Sequence, residues 1–237
     1  MPESMIVIRN LSCAYRSREF GLFGKKEIKQ VLHNVNMDIA AGEIFGLTGE
    51  SGCGKTTLAR CILGLVDHNG EIVINGVLQN RYRPSGRRSH ERVRQYGHGQ
   101  AQMIFQDPGA SLNPVKKIGW LIEEPLAMHR LGTARERSMA VDEMMARVGL
   151  DPSCKIRRAN ELSGGQKQRA CIGRALMLNP KILIADEAIS SLDVSAGAQI
   201  LNLFRELRDN MGLTILFISH NTAAVEYLCD RVVEMGI

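Results

Sequence analysis

The chain has 237 residues, of which 44% are apolar, and a formal net charge of +5. That is enough material for one large domain with a substantial core. Its longest apolar runs, residues 181–185 and 213–218, are of strand length, whereas a membrane-spanning helix needs roughly 18 or more apolar residues, so no bilayer crossing is expected. The start places Glu3 ahead of a short apolar run and lacks the basic region and long apolar core of a secretory signal, which predicts a cytoplasmic protein. Cys13, Cys53, Cys61, Cys154, Cys171 and Cys229 form no C-x-x-C pair, which excludes a zinc knuckle or disulfide framework and predicts reduced core thiols. The positive charge suits a polyanion, a nucleotide or an anionic membrane surface equally, so it speaks to partners and not to fold.

Residues 5–9 have the composition of a strand, and residues 16–29, rich in Gly and Lys, that of a surface hairpin loop. Residues 31–39 alternate apolar with polar, the pattern of a half-buried strand. After a turn at Ala41-Gly42, the apolar run 43–48 leads into a Gly-rich segment and then into 57–65, whose apolar spacing is helical. Residues 81–94 are strongly basic without an apolar period, as in an exposed loop or solvated helix start. Residues 102–105 form a short strand candidate. Residues 108–152 carry helical patterns at 120–128 and 134–148, punctuated by Pro and Gly, which suggests an inserted helical subdomain. A further helix is predicted at 166–178. The last third alternates strand (182–185), helix (198–209), strand (214–218) and helix (222–229), as in a parallel α/β sheet.

Three motifs carry the chemistry. Gly49-Glu50-Ser51-Gly52-Cys53-Gly54-Lys55-Thr56, followed by Thr57, matches G-x-x-x-x-G-K-[S/T] between a strand and a helix. Glycines let successive backbone N–H groups converge on phosphates, the helix start adds its positive dipole end, Lys55 reaches the β and γ phosphates, and Thr56 offers a hydroxyl to Mg²⁺. Residues 182–187 form an apolar strand ending in Asp186 and Glu187; an acid at such a strand end beside a phosphate loop can hold metal-bound water, and Glu187 is placed to act as a general base. Leu162-Ser163-Gly164-Gly165-Gln166 opens a helix whose first amides, with the Ser163 hydroxyl, form a second anion site. A second phosphate cradle on one domain is hard to use unless it serves a partner's nucleotide.

The Leu162–Gln166 segment, with the other motifs in this order, resembles the ATP-binding cassette (ABC) family over essentially the whole chain. The resemblance implies an α/β fold: a P-loop NTPase (RecA-like) core with a mainly parallel sheet, an N-terminal antiparallel β subdomain and an inserted α-helical subdomain. Residues 1–237 would form one ATPase domain, about 1–106 and 160–237 as catalytic core with the β subdomain and about 107–159 as the helical subdomain. It further implies Tyr15 as the aromatic that stacks on adenine, Gln106 touching Mg²⁺ and the attacking water, His220 contacting the γ-phosphate, and Asp193 in the loop crossing between cassettes. ATP and Mg²⁺ follow as cofactors. The implied partners are integral-membrane permease subunits, a second cassette, identical or paralogous, and indirectly an extracytoplasmic solute-binding protein. No nucleic-acid partner is implied. The chain would sit peripherally on the cytoplasmic face of the inner membrane. The other histidines, His33, His68, His90, His98 and His129, are expected at the surface.

Residues 105–114 and 122–129, with the insertion at 21–26, are similar to the ATPases of oligopeptide, dipeptide and nickel importers, which makes a peptide or nickel importer the expected system. Departures exist. Ala188-Ile189-Ser190 stands where the family usually shows Pro-Thr-Ser, so a less rigid backbone is expected there. Peptide-importer ATPases usually continue beyond the point reached at Ile237, so a short member or a truncated one is expected. The rival from another class is a soluble ABC ATPase acting on nucleic acid or ribosomes, which the basic segment 81–94 favours. One compact cassette without heptads argues against it. A P-loop kinase would leave Leu162–Gln166 without a use.

Overall fold

The computed structural model describes residues 3–18, 26–79 and 100–236, so the basic segment 81–94, most of the 21–26 insertion, His90 and His98 lie outside the described residues. Two sheets organise the rest. The first is antiparallel, in the order β2-β1-β4-β5, from β1 (Ser4–Arg18), β2 (Lys26–Ala40), β4 (Asn69–Ile74) and β5 (Val77–Leu78). The second is parallel throughout, in the order β6-β7-β8-β3-β9, from β3 (Ile44–Thr48), β6 (Ala101–Ile104), β7 (Ile182–Asp186), β8 (Thr214–Ile218) and β9 (Arg231–Glu234).

The parallel sheet is covered on both faces, which is why β7 and β8 are apolar runs without alternation. Ile182, Ile184, Leu216 and Ile218 point into one core, shared with Ile6, Ile8, Leu32 and Ile39 of the antiparallel sheet and with Leu58 and Ile62 of helix α1 (Lys55–Ile62). Leu183, Ala185, Ile215 and Phe217 point into the other, shared with helices α3 (Ile118–Met128), α4 (Ala134–Arg147), α5 (Gly164–Leu176), α6 (Val194–Met211) and α7 (Thr222–Leu228). A single turn, α2 (Pro108–Ser111), follows β6 and is capped by Asp107, whose carboxylate accepts from Gly109 and Ala110 N–H. A capping box at Thr133 and Glu136 starts α4.

The strands and helices expected from periodicity are present, and β4, β5, β9 and the turn α2 are added to them. The hairpin segment contributes backbone to β1 through Arg18 and to β2 from Lys26, because antiparallel strands pair through backbone groups whatever their side-chain pattern. Helix α5 begins at Gly164, two residues before Gln166, because Ser163 supplies its cap. His68, expected at the surface, is 7% exposed, and its Nδ1 lies 3.4 Å from the Val66 carbonyl, whereas His33 and His129 are exposed as expected. Five of the six cysteines are buried and all are free; burial pushes the Cys171 thiol up to about 11, which suits an inert core residue.

Candidate functional site

Four chain crossings of the parallel sheet end at one edge. The carboxyl ends of β3, β6, β7 and β8 deliver the Gly49–Thr56 loop, Gln106, Asp186 with Glu187, and His220 respectively, and ligands of open α/β sheets bind at such an edge. An open cleft of about 590 Å³ lies there, lined by Ser51, Gly52, Gly54, Lys55, Thr56, Thr57, Gln106, Asp186, Glu187 and His220, with Val31 of β2 on its rim.

The loop owes its shape to glycine. Gly49, Gly52 and Gly54 have φ of 137°, 86° and 107°, and a Cβ on Gly49 would stand 2.4 Å from the Met235 carbonyl oxygen. Lys55 is buried and folds back over the loop, its Nζ donating to the carbonyls of Gly49 at 2.9 Å and Glu50 at 2.8 Å. The ammonium is therefore held against the carbonyls of its own glycine-rich loop.

Next to it, Thr56 Oγ1 donates to Asp186 Oδ2 at 2.8 Å, joining the phosphate loop to the end of β7. Asp186 is 4% exposed, and its Oδ1 is buried with no hydrogen-bond partner among the described residues. Burial is the largest effect on it and raises its pKa, against the Thr56 hydrogen bond; the neighbouring Glu187 charge adds to the rise. A buried, under-used carboxylate oxygen beside a hydroxyl is suited to a hard divalent cation that keeps most of its ligands as water and phosphate oxygen. No cluster of three or more His, Cys, Asp or Glu suited to a metal occurs among the described residues.

Glu187 follows at φ 53°, a left-handed conformation, with its N–H donating to the Ile218 carbonyl at 2.9 Å. Its carboxylate faces His220, whose Nδ1 is 2.8 Å from Oε1 and 2.7 Å from Oε2. The imidazole is mostly exposed and the Glu187 side chain mostly covered, so the pair spans the boundary between cleft floor and solvent.

Three expected site elements stand apart from this cleft. Ser163 and Gln166 cap each other: Ser163 Oγ accepts from Gln166 N–H at 3.3 Å and Gln166 Oε1 accepts from Ser163 N–H at 3.0 Å. Gly164 and Gly165 fill the first turn between them, and a Cβ on Gly164 would stand 3.2 Å from Leu192 Cδ2. Asp193 caps α6, accepting from Ala196 N–H at 2.9 Å. Tyr15, 37% exposed on β1, does not line the cleft but reaches its edge through Thr57, with 3.4 Å between the hydroxyl oxygens. Two site neighbours escaped sequence reasoning. Val31 looks like any apolar strand residue, and Ser190, whose N–H and Oγ both donate to the Glu187 carbonyl, belongs to no charge or glycine pattern.

A family model described as "ABC transporter" matches residues 32–190. The oligopeptide transport ATP-binding protein AppF of Bacillus subtilis (strain 168) is 42% identical over 233 residues, covering 97% of this chain and 68% of that protein. The glutathione import ATP-binding protein GsiA of Salmonella choleraesuis is 43% identical over 241 residues, covering 98% of this chain and 36% of that one. Among solved structures, the dimeric post-hydrolysis ATP-binding cassette MJ0796 bound to ADP and Pi has a TM-score of 0.81 and 27% identity, covering 98% of this chain and 94% of that one. The cbiO1 protein of Clostridium perfringens, part of the ABC transporter complex cbiONQ, has a TM-score of 0.81 and 25% identity, covering 98% and 85%.

Proposed function

This chain belongs to the ABC transporter family as an ATP-binding, ATP-hydrolysing member, and from that premise we propose that it powers an importer of peptides or of metal chelates such as nickel complexes. The observation that carries the mechanism is the separation of two phosphate-binding elements on one chain. The cleft at Lys55 contains Glu187 and Asp186, while the capped turn at Ser163–Gln166 lines no part of it. Two cassettes, identical or paralogous, would stack head to tail, each turn closing the other's nucleotide.

In this reading Lys55 neutralises the β and γ phosphates, leaving its carbonyl partners in the loop for them. Thr56, Asp186 and Gln106 hold Mg²⁺, which when bound neutralises charge on the phosphates. Glu187 takes the proton of the attacking water, and His220, which contacts the γ-phosphate, holds the Glu187 carboxylate in place. Tyr15 stacks on adenine. Asp193 lies in the loop crossing to the neighbouring cassette, and its capping of α6 fixes that loop's exit. The helical segment, about 107–159, is the part that rocks relative to the core of about 1–106 and 160–237 as nucleotide is bound and released.

The import reading draws on the names of the relatives, and no helix among the described residues is long and apolar enough to cross a membrane. The chain would therefore act at the cytoplasmic face of the inner membrane through integral-membrane permease subunits, supplied by an extracytoplasmic solute-binding protein. Affinity purification from detergent-solubilised membranes tests this. Permease subunits and a second cassette should copurify and support ATP-driven peptide uptake in proteoliposomes. Recovery with ribosomes or RNA and no membrane protein would overturn it.

A further inference from the structure

Among the described residues, six other than glycine have positive φ. Asn10, Asn34, Asn75 and Asn179 are of the type that tolerates the left-handed region, and Arg130 lies just past the end of α3, where helices commonly finish in that conformation. Glu187 has neither reason. A residue held in such a conformation persists only where its surroundings fix it, and such positions cluster at functional sites.

The surroundings of Glu187 are explicit. Its N–H is tied to the Ile218 carbonyl at 2.9 Å. Its own carbonyl receives two donors from a single residue, Ser190 N–H at 3.1 Å and Ser190 Oγ at 2.9 Å. Between them Ala188 and Ile189 are buried, at 3% and 9% exposure, which anchors the turn to the core. Ser190 itself is exposed and lines no part of the cleft.

We propose that Ser190 is a positioning residue for ATP hydrolysis: by clamping the Glu187 carbonyl with both its amide and its hydroxyl, it holds the left-handed turn that aims the Glu187 carboxylate at His220 and the cleft. This rests on Glu187 being the base. Removing the hydroxyl leaves the amide bond in place, so the turn survives but loosens, and displacement of a catalytic group by about an ångström costs on the order of 10²-fold in rate.

The test compares Ser190→Ala, Ser190→Thr and Glu187→Gln in the complex purified from membranes. Ser190→Ala should lower kcat roughly ten- to a hundredfold, within that displacement cost, while KM for ATP and the melting temperature stay at wild-type values. Ser190→Thr, which keeps the hydroxyl, should recover most of the rate. Introduced into a Glu187→Gln background, Ser190→Ala should leave ATP-dependent association of cassettes intact. Wild-type turnover in Ser190→Ala, equal loss in Ser190→Thr, a fall in ATP affinity or melting temperature, or lost association in the double variant would each overturn the proposal. Turnover retained by Glu187→Gln alone would instead remove Glu187 as the base, which separates failure of that reading from failure of the clamp.

Discussion

The Lys55 cleft and the Ser163 turn both lie at the start of a helix, and both are proposed to meet phosphate, yet their side chains are used in opposite ways. In the cleft, side chains from distant parts of the chain meet: Thr56 with Asp186, Glu187 with His220, Lys55 with the loop carbonyls. At the turn, the two polar side chains serve only each other as a capping box, and Asp193 nearby caps its own helix. The first element is furnished for chemistry. The second, which the proposed function assigns to a neighbour's phosphates, has no acidic or basic side chain in its capping box. Under the proposed roles, that difference makes the catalytic and the closing equipment physically separate, so each should be breakable without the other.

The largest effect should come from the cleft. Glu187→Gln keeps the size and the contact with His220 but removes the base, and general-base catalysis contributes roughly 10²- to 10⁴-fold. ATP binding measured with a fluorescent nucleotide should be unchanged while turnover falls by that order; undiminished hydrolysis would deny Glu187 its role. Lys55→Ala should act one step earlier. A hydrogen bond to a charged group is worth about 1.5–3 kcal/mol, so ATP affinity should drop about ten- to a hundredfold, and an unchanged dissociation constant would contradict its place over the phosphates.

A smaller effect concerns stability. Burial raises the Asp186 pKa, so the folded chain holds that proton more tightly than the unfolded chain does. The associated stabilisation is present below the ordinary carboxylate range and is lost as pH rises through the folded-state value. The nucleotide-free protein therefore loses stability as pH rises above the ordinary carboxylate range, because burial disfavours the charged form of Asp186. Asp186→Asn should raise the melting temperature of the nucleotide-free chain at pH 7 to 8, and the gain should shrink as pH falls towards 4, the ordinary aspartate range. A variant less stable than wild type at neutral pH would show that the Thr56 hydrogen bond outweighs burial.

Much of this was legible in the sequence, and the reason differs by region. Residues 182–187 and 214–220 are readable because a strand buried on both faces must be apolar along its length, so the first polar residue marks the carboxyl end where ligands bind. That rule marks Asp186 and Glu187, His220 was legible only through the family resemblance, and the structure brings all three to one edge with Gln106. The separate location of Ser163–Gln166 was also readable, because one domain has little use for two phosphate cradles. The ends of β1 and β2 were not, since Arg18 and Lys26 pair through backbone groups that carry no side-chain pattern. Nor was the Ser190 clamp, a bond from a hydroxyl to a carbonyl three residues back that depends on the left-handed φ of Glu187. His68 was misplaced because a lone histidine carries no periodic signal of burial.

The most direct test of two half-sites is to measure ATP affinity and ATP turnover together in Ser163→Arg, a bulky change at a turn that lines no part of this chain's own cleft. The account predicts that the chain still binds ATP with wild-type affinity while hydrolysis by the assembled cassettes falls on the order of a hundredfold, the scale of losing transition-state contacts to phosphate. Wild-type turnover, or ATP affinity lost together with it, would contradict the division of each nucleotide site between two cassettes.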